Sequence, residues 1–117
     1  MALALVEPER PTLLLFLSTT CLGCQDLWEG TDQIRAGLPD DVDLVLVTRG
    51  PEVEDAAAVA GLAPVGVTTV MSSKAYADYR VGGPPFLVVV AGTKVVTEGV
   101  AWGIEETVRA TRAALAA

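Results

Sequence analysis

The chain has 117 residues, the usual length of one domain that buries its own hydrophobic core, and we expect residues 1–117 to form a single domain. Hydrophobic residues make up 51% of the sequence but aromatic residues only 5%, so the core must consist mainly of Leu, Val and Ala, which favours strands buried on both faces. The formal net charge is −7 and the eight Lys and Arg residues are dispersed, which excludes a basic surface for binding nucleic acid.

The chain starts with an apolar segment, residues 1–6, that lacks the basic flank of a secretory signal peptide. No window reaches the roughly 18 consecutive apolar residues of a membrane-spanning helix. We therefore expect no membrane span in this chain. A membrane anchor upstream of Met1 in a longer protein stays open, and with it the cellular location.

The first half of the chain alternates predicted strands and a helix. Residues 12–18 form a continuous apolar run that predicts a strand buried on both faces. A helix over about residues 22–37 follows, with Gly30-Thr31 as its expected kink or break. Residues 42–48 predict the second strand. The apolar positions of the helix recur at spacings of seven and four: Leu27, Ile34 and Leu38.

The middle of the chain predicts two further helices around a third strand. Gly50-Pro51 is expected to open the first of these helices, with Pro51 in its first turn and Gly61 as its C-cap. Residues 65–71 predict a strand, and Ser72 is expected to cap a short helix that runs through Tyr79. Three acids favour the N-terminus of the first helix: Glu52, Glu54 and Asp55.

The end of the chain predicts a hairpin and a last helix. Residues 86–90 and 93–98 pair across a turn at Ala91-Gly92, and an apolar stripe containing Ile104 and Val108 marks the helix. The order β-α-β-α-β-α-β-β-α with right-handed crossovers predicts an α/β fold. Its sheet is expected to be mostly parallel, with a C-terminal antiparallel hairpin and helices on both faces.

Cys21 and Cys24 stand directly after the first predicted strand, where the first helix begins. Unpaired backbone N–H groups and the helix dipole at this position stabilise a thiolate, so Cys21 is the candidate nucleophile with a lowered pKa. Cys24 lies three residues on and faces inward, where it can attack a mixed disulfide and resolve it. The pair therefore predicts thiol-disulfide exchange.

Two other uses of the cysteines are possible. A zinc site usually needs four nitrogen or sulfur ligands, and the chain has two cysteines and no histidine, so we expect no metal. A permanent disulfide that closes so short a loop constrains little of the unfolded chain. We expect no cofactor other than the redox-active pair Cys21–Cys24.

The segment FLSTTCLGC at residues 16–24, followed about sixty residues later by Pro85 before an apolar strand and hairpin, resembles the thioredoxin-like family. The added strand and helix between residues 65 and 79 resemble its branch of membrane-tethered TlpA/ResA-type reductases. The resemblance covers almost the whole chain. It implies a thioredoxin-like fold, a thiol-disulfide oxidoreductase that acts on disulfides of partner proteins, an unidentified electron donor, and a tethered domain outside the cytoplasm.

The resemblance also implies roles for particular residues. Pro85 matches the family's cis-proline, which packs against the cysteine pair and shapes the groove for an extended substrate. The other residues expected at that groove are Thr20, Leu22, Gly23 and Pro84. Pro84 has no N–H, so it offers such a substrate only its C=O.

The chain departs from the pattern of ordinary thioredoxins at several positions. Leu15 stands where they carry a buried Asp that helps proton transfer from the resolving cysteine, and Thr20 stands where they carry Trp. Cys24 must then lose its proton to water or to another group that the sequence does not identify. No His lies between the cysteines, so we expect a reduction potential on the reducing to intermediate side.

Two alternative functions remain at this point. One is a non-catalytic thioredoxin-like binding module whose cysteines are incidental. The other is a peroxiredoxin-like peroxidase, in which Ser18 would replace the usual Thr, although no activating Arg is evident nearby in the sequence.

Both tryptophans are expected to pack in the core, Trp28 on the first helix and Trp102 against the last one.

Overall fold

A computed structural model of the chain describes residues 10–116, so the expectation about residues 1–6 lies outside the described residues. The elements in chain order are β1 (Thr12–Phe16), α1 (Leu22–Glu29), α2 (Thr31–Gly37), β2 (Asp43–Thr48), α3 (Ala56–Leu62), β3 (Thr68–Met71), α4 (Ser73–Asp78), β4 (Phe86–Ala91), β5 (Lys94–Val100) and α5 (Ile104–Ala116). Within residues 10–116 there is no helix both long enough and apolar enough to cross a membrane.

The five strands form one sheet in the order β3-β2-β1-β4-β5. β2 runs parallel to both β1 and β3, whereas β4 pairs antiparallel with β1 on one side and β5 on the other. Four strands therefore share one direction and β4 opposes them, which confirms the predicted α/β fold with a C-terminal hairpin. β5 lies at one edge of the sheet.

The side chains of β1 alternate between two buried clusters, one on each face of the sheet. Leu13 and Leu15 face a cluster that includes Leu27 of α1 and Ile34 of α2. Leu14 and Phe16 face a second cluster that includes Tyr76 of α4. Both faces of β1 are therefore packed up to the place where the cysteine segment begins.

The predicted break at Gly30-Thr31 is confirmed, because α1 ends at Glu29 and α2 begins at Thr31. Gly30 donates its N–H to the carbonyl of Asp26 at 2.8 Å. A Cβ atom at Gly30 would lie 2.9 Å from that carbonyl oxygen and would overlap the side chain of Ile104 in α5. The close approach of α5 thus requires a residue without a side chain here.

The structure corrects both predicted ends of the helix after β2. Residues 50–54 form a turn, in which the N–H groups of Val53 and Glu54 donate to the carbonyl of Gly50 at 2.9 Å. The helix begins only after Asp55, whose side chain accepts a hydrogen bond from the N–H of Ala57 at 3.2 Å. Asp55 takes the N-cap because it offers a side-chain acceptor, which Gly50 before the predicted first-turn Pro51 does not.

Gly61 does not end this helix as predicted. It lies within α3, which continues to Leu62 with Ala63 as the C-cap. The following strand is also shorter than predicted, since β3 begins at Thr68 and Gly66 lies in a turn with a φ of 81°. The predicted cap of α4 is confirmed, because the hydroxyl of Ser72 accepts a hydrogen bond from the N–H of Ala75 at 3.0 Å.

Candidate active site

The two cysteines lie at the N-terminus of α1 with different exposure. Cys21 is the N-cap residue, with extended backbone angles, and is partly exposed, whereas Cys24 in the first turn is fully buried. Both are free thiols in the structure. This is the order of exposure that the sequence predicts, with Cys21 open to solvent and Cys24 part of the core.

The loop before β4 approaches the cysteines from the opposite side. The thiol of Cys21 donates to the carbonyl oxygen of Pro84, with 3.7 Å between sulfur and oxygen. The peptide bond between Pro84 and Pro85 is cis. A Cβ atom added at Gly23 would lie 3.6 Å from the ring of Pro85, an ordinary van der Waals distance, so Gly23 faces that proline. The structure thus brings these four predicted site residues together.

Thr20 and Leu22 flank Cys21 and are both exposed. The Thr20 hydroxyl lies 3.2 Å from the Ser18 hydroxyl, and the Thr20 N–H donates to the same oxygen at 3.2 Å. Leu22 has 91% of its side chain exposed, which is unusual for a large apolar residue. Both residues are therefore available to a molecule that approaches Cys21.

The sulfur of Cys24 accepts a hydrogen bond from the N–H of Ser18 at 3.4 Å. Burial raises the pKa of the Cys24 thiol to about 12, with further increases from a hydrogen bond to Cys21 and from the charges of Cys21 and Glu54. The Ser18 N–H acts in the opposite direction and lowers this pKa, because a donor stabilises the thiolate. Cys24 is protonated at neutral pH.

Glu54 is a buried acid beside this segment, whereas the sequence predicts it only near a helix N-terminus. Its Oε1 accepts hydrogen bonds from the Thr19 hydroxyl at 2.7 Å and from the Thr19 N–H at 3.3 Å. Burial raises the pKa of Glu54, but hydrogen bonds from Ser18 and Thr19 and the charge of Arg49 outweigh it, so the pKa is lowered overall. Glu54 is therefore a carboxylate at neutral pH.

One signal in the sequence points to Glu54. Thr19 follows β1 and Glu54 follows β2, and these strands are parallel neighbours. The carboxyl ends of neighbouring parallel strands meet at the same edge of a sheet, so polar residues just beyond them come close together.

Tyr76 and Arg49 support the end of β1 from the other face of the sheet. The hydroxyl of Tyr76 donates to the carbonyl of Leu17 at 2.9 Å, and its ring packs edge-on against Phe16. The guanidinium of Arg49 lies 4.3 Å from the centre of the Tyr76 ring and donates to the carbonyl of Gly82 at 3.5 Å. Arg49 thus links the Tyr76 ring to the loop that carries Pro84 and Pro85.

The two tryptophans have different surroundings. Trp28 is buried as predicted, and its indole N–H donates to the carbonyl of Ser18 at 3.1 Å. The prediction for Trp102 is wrong, because 79% of its side chain is exposed. The chain turns at Gly103, with a φ of 131°, before α5 begins, so Trp102 does not reach the packed face of that helix.

The backbone just before Trp102 is held at the loop that carries Pro84 and Pro85. Its neighbour Ala101 donates its N–H to the carbonyl of Pro85 at 3.2 Å.

Across the part of the chain that the structure describes, no group of three or more His, Cys, Asp or Glu side chains is placed to hold a metal ion.

Neither a scan against models of protein families nor a search of curated protein sequences finds a match for this chain. Solved structures do resemble it. StoA from Bacillus subtilis gives a TM-score of 0.77 at 16% identity, over 92% of this chain and 86% of StoA. Etrx1, an exposed lipoprotein thioredoxin of Streptococcus pneumoniae, gives a TM-score of 0.74 at 18% identity, over 91% of this chain and 86% of Etrx1.

A third similar structure is a secreted disulfide oxidoreductase of Mycobacterium tuberculosis that is homologous to E. coli DsbE. It gives a TM-score of 0.70 at 17% identity, over 93% of this chain and 83% of that protein. At these identities the similarity establishes the fold. The chain has the thioredoxin-like fold that the resemblance of its cysteine and proline segments implies.

Proposed function

We propose that the chain is a thiol-disulfide oxidoreductase in which Cys21 is the nucleophile and Cys24 the resolving cysteine. One observation supports this most directly: Cys21 caps the N-terminus of α1 beside the carbonyl of Pro84, and the buried Cys24 lies one turn further along the same helix. The thioredoxin-like fold of the described residues is consistent with this activity.

The proposed reaction has two steps. The thiolate of Cys21 attacks one sulfur of a partner's disulfide, forms a mixed disulfide and releases the partner's other sulfur as a thiolate. Cys24 gives its proton to solvent and attacks the sulfur of Cys21, which releases the second partner thiol and leaves a Cys21–Cys24 disulfide. Two electrons pass from the dithiol to the partner, and an unidentified thiol donor restores the dithiol. No cofactor takes part.

The proposed substrate is an exposed, extended segment of a protein. We assign its contacts to the residues around Cys21, and Leu22 and Trp102 give this face two exposed apolar side chains. Both are adjacent in sequence to residues beside Pro85: a Cβ atom added at Gly23 would lie 3.6 Å from its ring, and the Ala101 N–H donates to its carbonyl. The remaining substrate-binding residues that we propose are Thr20, Gly23, Pro84 and Pro85.

We also propose that the protein works outside the cytoplasm, as a domain tethered to a membrane. The Mycobacterium tuberculosis neighbour is secreted and Etrx1 is an exposed lipoprotein. Fractionation of cells that produce the natural full-length protein tests this, and recovery from the cytosol alone would contradict it.

Insulin reduction with dithiothreitol as the electron source tests the activity. We expect the wild type to accelerate precipitation of the insulin B chain and Cys21→Ser to lose the acceleration. Equal rates for the two proteins would contradict the proposed oxidoreductase activity and favour a non-catalytic binding module. The Cys24→Ser variant is a second measure, because it should accumulate a mixed disulfide through Cys21 once the resolving attack is lost.

A further inference from the structure

The segment between β1 and Cys21 uses its backbone groups to hold the site together. Ser18 donates its N–H to Cys24 and accepts from the indole N–H of Trp28 through its carbonyl. Whereas Ser18 binds residues of α1, Thr19 binds the turn after β2, because both its N–H and its hydroxyl donate to Glu54. The Ser18 N–H shares its peptide unit with the Leu17 carbonyl, which accepts from the Tyr76 hydroxyl at 2.9 Å, while the Thr19 contacts with Glu54 hold the next peptide unit.

Glu54 is well placed to fix that segment. Its side chain comes from the turn after β2, is only 5% exposed, and its own N–H is bound to the carbonyl of Gly50 at 2.9 Å. As a carboxylate it accepts charge-assisted hydrogen bonds from Thr19, which are stronger and shorter than neutral ones. The 2.7 Å bond to the Thr19 hydroxyl is of this kind.

We propose that Glu54 is a positioning residue for the resolving step, because it holds Thr19 so that the Ser18 N–H points at the sulfur of Cys24. The proposal rests on the proposed function of the cysteine pair. Cys24 must become a thiolate before it attacks the mixed disulfide, and the Ser18 N–H stabilises that thiolate. Glu54 reaches the sulfur through Thr19 and Ser18.

The charge of Glu54 acts against its positioning effect. A negative charge near Cys24 disfavours the thiolate, and the Glu54 carboxylate raises the pKa of Cys24 in this way. The two effects therefore predict opposite changes in the rate of the resolving step for two substitutions of Glu54. Glu54→Gln keeps an oxygen that can accept from Thr19 but removes the charge, whereas Glu54→Ala removes both.

The experiment follows the reaction of the reduced protein with dithiobis(nitrobenzoate), an aromatic disulfide that releases a coloured thiolate. In the first phase Cys21 attacks the reagent and releases one nitrothiobenzoate while the other stays bound as a mixed disulfide. In the second phase Cys24 loses its proton to buffer and attacks the Cys21 sulfur, which releases the second nitrothiobenzoate. Two electrons leave the protein for each reagent molecule reduced.

We expect Glu54→Ala to leave the first phase unchanged and to slow the second about tenfold or more, the size of one lost hydrogen bond to a charged group. Glu54→Gln should match or exceed the wild-type rate of the second phase, with its pH profile shifted to lower pH. Glu52→Gln is the matched control, since Glu52 lies in the same turn but binds Ser73, and it should behave like the wild type.

A second phase in Glu54→Ala as fast as in the wild type would overturn the proposal. Slowing of Glu54→Gln to the level of Glu54→Ala would overturn it as well, because an acceptor oxygen would then not suffice. If Glu54→Ala does not fold, Thr19→Val decides: a slower second phase supports the proposal and an unchanged one overturns it. A wild type that lacks a second phase would instead contradict the proposed function itself.

Discussion

The carbonyl oxygen of Pro84 lies 3.7 Å from the sulfur of Cys21 and accepts the hydrogen bond of that thiol. Under the proposed function, the same carbonyl is the group that Pro84 would offer to an extended substrate. Because proline has no N–H, a substrate strand beside Pro84 gains one backbone hydrogen bond where most residues would provide two. We expect loose binding of unstructured peptides as a result.

Replacing Pro84 with Thr while keeping Pro85 should restore the missing N–H. We expect disulfide exchange with an unstructured peptide to become about two- to tenfold faster, the equivalent of one hydrogen bond of about 0.5–1.5 kcal/mol. The reduction potential should not change. A small disulfide without a peptide backbone is the control substrate and should react at the wild-type rate. An equal or lower rate with the peptide, at intact fold and potential, would show that the N–H does not limit recognition.

The raised pKa of Cys24 predicts how the stability of the reduced protein depends on pH. Folding raises this pKa from the ordinary 9.0 to about 12, so above pH 9 the unfolded chain releases a proton that the folded chain retains. The contribution of this thiol to the free energy of unfolding is fully present below pH 9. It is lost as the pH rises towards 12, by at most about 1.4 kcal/mol per pH unit for one group. Urea unfolding across this range measures the decline.

Cys24→Ala isolates the contribution of this thiol, because other buried groups also titrate at alkaline pH. Burial raises the pKa of Tyr76 as well, and that contribution has the same sign. We expect the free energy of unfolding of Cys24→Ala to fall less steeply with pH than that of the wild type. Parallel curves for the two proteins would mean that Cys24 does not titrate differently in the folded and unfolded chains.

A substitution at Trp102 tests whether this side chain contacts protein substrates. Its side chain is 79% exposed, so Trp102→Ala should change the free energy of unfolding by less than about 0.5 kcal/mol. If the indole contacts protein partners, we expect at least a twofold slower reduction of insulin and an unchanged first phase with dithiobis(nitrobenzoate). Equal slowing of both reactions would place the effect at the cysteines. No slowing of either would remove Trp102 from the substrate face.

Two glycines make a matched pair for stability. An added methyl group at Gly30 would overlap Ile104 and lie 2.9 Å from the carbonyl oxygen of Asp26, so Gly30→Ala should cost about 1–3 kcal/mol. Gly61 lies inside α3 with nothing within 4 Å of an added Cβ, so Gly61→Ala should gain about 0.5–1 kcal/mol. Urea denaturation at neutral pH measures both. A neutral Gly30→Ala would mean that both the Ile104 side chain and the Asp26 carbonyl can shift to make room for the methyl group.

Local patterns were sufficient to predict much of the fold. The apolar run of β1, the glycine break at Gly30 and the serine cap of α4 are each signalled by the local sequence, and the structure agrees with all three. The helix after β2 was predicted with the wrong ends because Pro51 and Gly61 carry helix signals that two other features override. Asp55 supplies a side-chain cap, and the helix continues through Gly61 to Leu62, with Ala63 as its C-cap.

The surroundings of the cysteines depend on contacts between residues distant in sequence, and these were harder to predict. Glu54 meets Thr19 across 35 positions of sequence, and only the pairing of β1 with β2 brings them together. Trp102 was expected in the core because large aromatic residues usually pack there. Its exposure follows from the turn at Gly103, whose positive φ a pattern of apolar spacing does not reveal.

The edge position of β5 bears on the behaviour of the protein in concentrated solution. Val95, Val96 and Val100 are 45%, 41% and 43% exposed, and an edge strand leaves backbone groups free to pair with a strand of another molecule. Lys94 and Glu98 place charges on this strand, and the formal net charge of −7 makes whole molecules repel one another. Acidification neutralises the carboxylates and removes this repulsion. We therefore expect the protein to aggregate in mild acid before it does so at neutral pH, through pairing of β5 strands.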